Sequence, residues 1–159
     1  MSAFLSRTVL SLLLLASMPG AREDYVNHCN SRFAFCLDVP AGLKEMPPPE
    51  NDDGRTWRGS TGAEIRVWGM WNAAEETLAE ACDFDASEID SVVLRTTRKD
   101  WCVVSGFRQG RIVYERRQLA QGRWVVFQLE YQEKDRPLFD NKIGRMAKSL
   151  KVFEMPDAP

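Results

Sequence analysis

The chain has 159 residues, 44% of them hydrophobic, with 21 Lys and Arg against 23 Asp and Glu and a sequence pI near 5.5. That balance offers no basic field for nucleic acid or an anionic membrane. The length suffices for one domain whose core needs no metal to close it.

Arg7, the apolar run Val9–Met18 and the small residues Gly20 and Ala21 read as a secretory signal peptide. The run is well short of the ~20 residues that span a bilayer. Cleavage is expected after Ala21, with Pro19 at the −3 position a departure from the small-x-small pattern. The leader is therefore 1–21, the domain 22–153 and the C-terminal tail 154–159. Only Arg7 leaves with the leader, so 20 cations face 23 anions in the mature chain, a net of −3. Cys29 lies too far past the cleavage site to carry a lipid anchor, and the product reads as soluble in the periplasm or secreted, with no membrane contact after the leader is removed.

Tyr25 to Pro40 reads as a hairpin turning at Asn30-Ser31-Arg32, with Phe33, Phe35, Leu37 and Val39 on its core face. Pro40-Ala41-Gly42 stops it, and Pro47-Pro48-Pro49 with Glu50-Asn51-Asp52-Asp53-Gly54 forms a long polar loop. Thr56–Ser60 and Glu64–Trp71 make a second hairpin around Thr61-Gly62, with Ile65, Val67 and Trp71 facing one way. Asn72 is expected as an N-cap with Glu75 three residues on, leading a helix whose buried stripe is Ala74, Leu78, Ala81 and Cys82. An acidic connection, Asp83 to Asp90, precedes four strands over 92–97, 101–107, 112–119 and 124–131, with tight turns at Gly110-Arg111 and Gln121-Gly122. Phe139, Ile143, Met146, Ala147 and Leu150 mark a last helix, with Pro137 in its first turn and Arg145, Lys148 and Lys151 near its negative end. Several strands are apolar on both faces, so the expectation is an α+β fold: one antiparallel sheet with the two helices on opposite faces.

Cys29, Cys36, Cys82 and Cys102 are even in number, belong to an exported chain and contain no C-x-x-C. They favour two disulfides over metal ligation or redox chemistry. Three connectivities exist, and local structure ranks first Cys29–Cys36 across the hairpin together with Cys82–Cys102 between helix and strand.

Tyr25-x-Asn27, Arg32-Phe33-x-Phe35-x-Leu37-Asp38-Val39-Pro40, Asn51-x-Asp53-Gly54 ahead of Trp57, and Val67-Trp68-Gly69 form a recognisable series. Trp101-x-Val103-x-Ser105-Gly106-Phe107, Ile112-x-Tyr114-Glu115 and Pro137-Leu138-Phe139-Asp140 continue it. Together they resemble small exported bacterial proteins with a fold similar to PsbP, the extrinsic photosystem protein. The resemblance implies a PsbP-like sandwich and a non-catalytic binding, assembly or accessory role, without a named partner. Length, export signal and opening hairpin are also similar to periplasmic immunity proteins that neutralise cell-wall-degrading toxins delivered by type VI secretion. No active residue carries over from either likeness.

The lone histidine, His28, has no recognisable nucleophile arrangement beside it. Arg58-Gly59-Ser60-Thr61-Gly62 lacks the first glycine of a nucleophile elbow and joins two strands where an elbow leads from strand to helix. The acidic 50–54 segment lacks the ligand spacing of an EF-hand and reads as a solvated turn. Asp83, Asp85, Glu88 and Asp90 read the same way. No catalytic residue, metal ligand or cofactor is assigned.

Trp68 and Met70 lie out of phase with Ile65 and Val67, beside Glu64 and Arg66. Aromatic and Met side chains next to charges suit a protein interface, while burial beneath a helix is the commoner fate of large aromatics and is the competing reading. With Asp52 and Asp53 they form the expected partner-binding set of a non-enzymatic interaction protein that occludes a protein partner, such as a toxin. The alternatives are a small-ligand or metal-binding accessory protein using the space between sheet and helix, and a hydrolase built around His28.

Overall fold

The computed structural model describes residues 24–156, so the leader expected over 1–21 lies outside the described residues. In chain order the elements are β1 (Tyr25–Asn30), β2 (Phe35–Pro40), β3 (Lys44–Glu45), β4 (Gly54–Arg58), β5 (Glu64–Trp71), α1 (Leu78–Ser87), β6 (Ser91–Thr97), β7 (Trp101–Arg108), β8 (Arg111–Ala120), β9 (Arg123–Gln132), α2 (Arg136–Ser149) and β10 (Lys151–Val152). A single 3-10 turn, Glu133–Asp135, leads into α2.

The opening hairpin forms, but it stands apart from the main sheet. β1, β2 and β10 make a three-stranded sheet of their own. Cys29 faces Cys36 across β1 and β2, and a disulfide joins them. The other seven strands make an antiparallel sheet in the order β3-β4-β5-β9-β8-β7-β6. The β7–β8 and β8–β9 connections are two-residue turns with positive φ at both positions, 50° and 72° at Gln109-Gly110 and 47° and 70° at Gln121-Gly122. Such turns match the twist of paired strands. The first of them sits one residue earlier than the sequence suggested.

Side chains alternate along each strand, so β9 sends Val125, Phe127, Leu129 and Tyr131 to one face and Trp124, Val126 and Gln128 to the other. The first face is roofed by the hairpin and α2, whose Phe35, Leu37, Val39, Phe139 and Met146 join Ile65, Val67 and Phe127 in one buried cluster. Gly69 follows Val67 on that face. A Cβ there would lie 2.2 Å from Cγ of Phe33, so the aromatic ring of the hairpin turn rests on bare strand backbone. Trp71, expected in phase with Ile65 and Val67, is 40% exposed at the strand end and meets only the rim of the core through the Phe33 ring.

The second face is roofed by α1, but only in part. Ala81 packs on Trp124 and Val126, Ile89 packs with Val104 and Val113, and a second disulfide bolts Cys82 to Cys102 of β7. α1 starts later than Asn72 suggested. Thr77 is its N-cap, in a reciprocal capping box with Glu80. Asn72 instead closes a turn on Glu76 through both amide atoms, and Glu75 within it has φ 54°, a left-handed conformation no helix continues through. Ala74 is therefore exposed rather than part of the buried stripe.

The helix also runs on to Ser87, which takes Asp83 and Asp85 out of the expected acidic connection. Asp85 is buried there, contrary to a solvated reading. At the other end of the chain, α2 stops at Ser149 and Leu150 caps it, so Lys151 is a strand residue opposite Cys36 and not part of a helix terminus. Arg123 is fully buried beside the β8–β9 turn, where it donates to the carbonyls of Phe33 at 3.1 Å and Ala120 at 3.1 Å and to that of Phe153. One guanidinium thereby ties together the hairpin turn, the sheet and the C-terminal segment.

Candidate interaction groove

Toward the β3 edge, α1 no longer covers the second face, and the β4–β5 hairpin shows its outward side chains. Register pairs Gly54 with Trp68, Thr56 with Arg66 and Arg58 with Glu64, all on this face. The loop before β4 rises alongside, and the floor and wall enclose an open groove of about 480 Å³ lined by Trp68, Arg66, Glu64, Arg58, Asp53 and Pro47.

The loop is held by hydrogen bonds from the opening hairpin and β5 and by one of its own. Asn30 donates to the carbonyl of Asp52 at 2.8 Å, Arg32 donates to that of Asn51, and Gly69 N–H donates to that of Asp53 at 2.8 Å. Asn51 donates to the Asp53 carboxylate at 2.8 Å. Asp53 is thus half-buried in the wall, whereas Asp52 is not among the lining residues: its carboxylate is 63% exposed and lies 3.7 Å from Arg55. Asp52 holds this place with φ 47°.

Trp68 is half-buried. Its inner edge packs with Trp124 and Val126, and the Arg66 guanidinium lies 5.5 Å over its ring. Arg66 is fixed in turn by Gln128 Oε1, 3.1 Å from Nε, and by Glu64 at 3.4 Å, while Glu64 also pairs with Arg58 at 2.7 Å. The floor is therefore a preorganised lattice of ring and paired charges. Trp68 and Asp53 share this groove. Met70 does not: it lines a separate cavity of about 370 Å³ between β5 and α1, with Trp71, Phe84 and Arg117.

Behind the floor, a polar network that sequence reading missed runs under α1. Asp85 accepts two hydrogen bonds from Arg117, at 2.7 and 2.6 Å, and Arg117 lies 3.6 Å from Glu115. Gln128 donates to Glu115 at 2.7 Å and accepts from Arg66. Two carboxylates share one buried guanidinium. Burial, and next the Asp85 charge, push the Glu115 carboxyl up to about 7 despite Arg117. The sequence held a signal for this: Asp85 falls four residues after Ala81 and three after Cys82, on the stripe that faces the sheet.

His28 sits on the hairpin and packs edge-on against Trp57, ring centroids 5.1 Å apart. Burial, and then the Arg55 charge, hold its pKa below the ordinary imidazole value. Ser60 lies in the β4–β5 turn, beside Leu138 and Phe139 of α2. Among the described residues no group of three or more His, Cys, Asp or Glu is placed to hold a metal ion, and no helix is long and apolar enough to cross a membrane.

No protein-family model and no curated protein matches the sequence. Solved structures do. The chain is similar to cyanobacterial PsbP (CyanoP) from Synechocystis, with a TM-score of 0.61 at 14% identity over 87% of this chain and 99% of that one. It is also similar to the Ran-binding protein Mog1p of Saccharomyces cerevisiae, with a TM-score of 0.58 at 12% identity over 82% of this chain and 96% of that one. At such identities the likeness is one of architecture: the chain has a PsbP-like α+β fold, here closed by two disulfides of the kind an oxidising, extracytoplasmic compartment sustains.

Proposed function

We propose that this is an exported periplasmic protein without catalytic activity, which docks on a protein partner through the Trp68 groove and occludes it in the manner of an immunity or inhibitor protein. The observation that carries the reading is the preorganised floor itself: a half-buried tryptophan under a guanidinium, on the part of the sheet that α1 leaves open. Tryptophan and arginine are the side chains most enriched at interface hot spots, and a floor fixed before binding has less conformational freedom to lose. Asp52, exposed on the same loop as Asp53, adds a charge that steers approach more than it adds affinity. The leader-like first 21 residues and the two disulfides support export. A similar fold also serves in Mog1p, a Ran-binding protein.

The test is co-purification from the periplasm with the wild-type chain and with Trp68→Ala side by side. The reading predicts a stoichiometric protein captured by the first and lost with the second. A small molecule retained equally by both would overturn it.

A further inference from the structure

Beside the groove, the same face of the sheet carries a second cavity. Met70 follows Trp68 on that face, about 7 Å along β5, and lines the space of about 370 Å³ between β5 and α1. Trp71, Phe84 and Trp124 share the lining. Trp124 is its buried side and already has the Arg117 guanidinium 5.5 Å from its ring. Trp71 and Phe84 are its open side, 40% and 61% exposed. The faces of such rings attract cations.

The charges around the cavity favour the same kind of guest. From Asn72 to Leu94 the chain has no Lys or Arg. Its acidic residues other than Asp85, namely Glu75, Glu76, Glu80, Asp83, Glu88 and Asp90, are all exposed, and only Asp83 has an ion-pair partner among the described residues, Arg95. Glu76 lines the cavity, and Asn72 engages only its backbone. The cavity's own cation is already held: Arg117 donates twice to Asp85 and lies 3.6 Å from Glu115. Asp85, Glu115 and Glu76 all act on that one guanidinium, so the wall is negative whether or not Glu115 holds a proton. In the groove, by contrast, Glu64 faces both Arg58 and Arg66. The groove is balanced, and the cavity lacks a cation.

We propose that this cavity receives a lysine or arginine side chain of the protein partner, its stem against Met70 and Ala81 and its charge between Trp71, Phe84 and Glu76. The proposal rests on the reading of a docking protein and adds the partner's chemistry: a basic residue beside the segment that enters the groove. Lys and Arg stems cover apolar surface while their heads stay at a wet mouth, so the charge is never fully stripped of water.

The test titrates acetyl-Gly-Lys-Gly-amide and acetyl-Gly-Arg-Gly-amide into the mature, disulfide-intact protein, with acetyl-Gly-norleucine-Gly-amide as the uncharged counterpart of lysine. The indole N–H resonances of Trp71 and Trp124 are followed by NMR. Saturable shifts are expected with the cationic peptides, and binding weaker by at least about tenfold with norleucine. Glu76→Gln and Phe84→Ala should each weaken the lysine peptide about threefold. Phe84→Ala keeps every charge, so it separates the cavity from general attraction to an acidic helix. Both side chains are exposed, and circular dichroism checks that the variants fold. Norleucine bound as well as lysine, shifts indifferent to Phe84→Ala, or no saturation would overturn the proposal. In the co-purification, Glu76→Lys should lose the protein that wild type captures. A protein kept by Glu76→Lys but lost by Trp68→Ala would leave the groove reading standing and overturn this one. The titration uses no partner, so it decides the cavity even where nothing co-purifies.

Discussion

On the face toward α2, the sheet meets the hairpin and helix through Phe35, Leu37, Ile65, Val67, Phe127 and Met146, all but dry. On the face toward α1, Trp124, Val126 and Ala81 share the space with Asp85, Arg117, Glu115 and Gln128. Their energetics differ accordingly. An apolar face loses stability in proportion to the volume removed from it, whereas a buried ion network loses most when one member is taken away and the others stay. The face that carries charges is also the one left partly open, and the network continues through Gln128 and Arg66 to the groove floor.

The largest expected effect comes from breaking that network. Arg117→Ala leaves Asp85 and Glu115 buried around no cation and should cost about 3–5 kcal/mol in denaturant unfolding at neutral pH. The double variant Arg117→Met with Asp85→Leu should recover most of the loss, because the stranded Asp85 charge goes as well. A mild single variant would show that water already reaches the network.

A pH effect of similar but smaller size sharpens the contrast. The Glu115 carboxyl rises from 4.5 to about 7 in the folded state, chiefly through burial and then through Asp85, so the folded protein holds a proton that the unfolded chain has released. That stabilisation is full below about pH 4.5 and is lost as pH rises through 7, a fall of about 3 kcal/mol. Glu115→Gln, which keeps a partner for Gln128, should flatten the profile. A wild-type profile already flat between pH 5 and 8 would remove the proton from this account.

On the dry face the comparison turns on a missing atom. Gly69→Ala places a Cβ 2.2 Å from Cγ of Phe33 and should cost about 1–3 kcal/mol by overpacking, independent of pH. Thermal melts of this variant at pH 5 and 8 should shift together.

Much of the dry face was legible. The alternation of Val125, Phe127 and Leu129 in β9 and of Ile65 and Val67 in β5 names core residues without any coordinates. The α1 face was harder because its cues compete. Asn72 with Glu75 reads as the helix start, but that segment closes a turn, and the capping box is formed by Thr77 with Glu80. The expected helix was thus displaced toward the N-terminus and ended at Cys82, which left Asp85 in the acidic connection and the network with Arg117 out of sight. Glu115 and Arg117 fall within the strand expected over 112–119, where nothing local distinguishes a solvated charge from a buried pair. For the groove, the sequence put Trp68 out of phase with the core, but it could not show that Met70, two residues on, lines a different cavity. Strand phase tells which face a residue takes, and the placement of α1 decides what covers it.

The central claim is that Trp68 serves recognition more than stability. Its half-buried position and its contact with Arg66 predict that Trp68→Ala lowers unfolding free energy by less than the about 3–5 kcal/mol lost when a core tryptophan is truncated. Affinity for the co-purified partner should fall by at least about 2 kcal/mol, while Asp52→Ala slows association and reduces its salt dependence. The most direct measurement is titration calorimetry of wild type and Trp68→Ala against that partner, with the unfolding of both followed in the same buffer. Affinity lost with the fold intact is the predicted result, and a variant that binds normally, or that merely unfolds, would contradict the account.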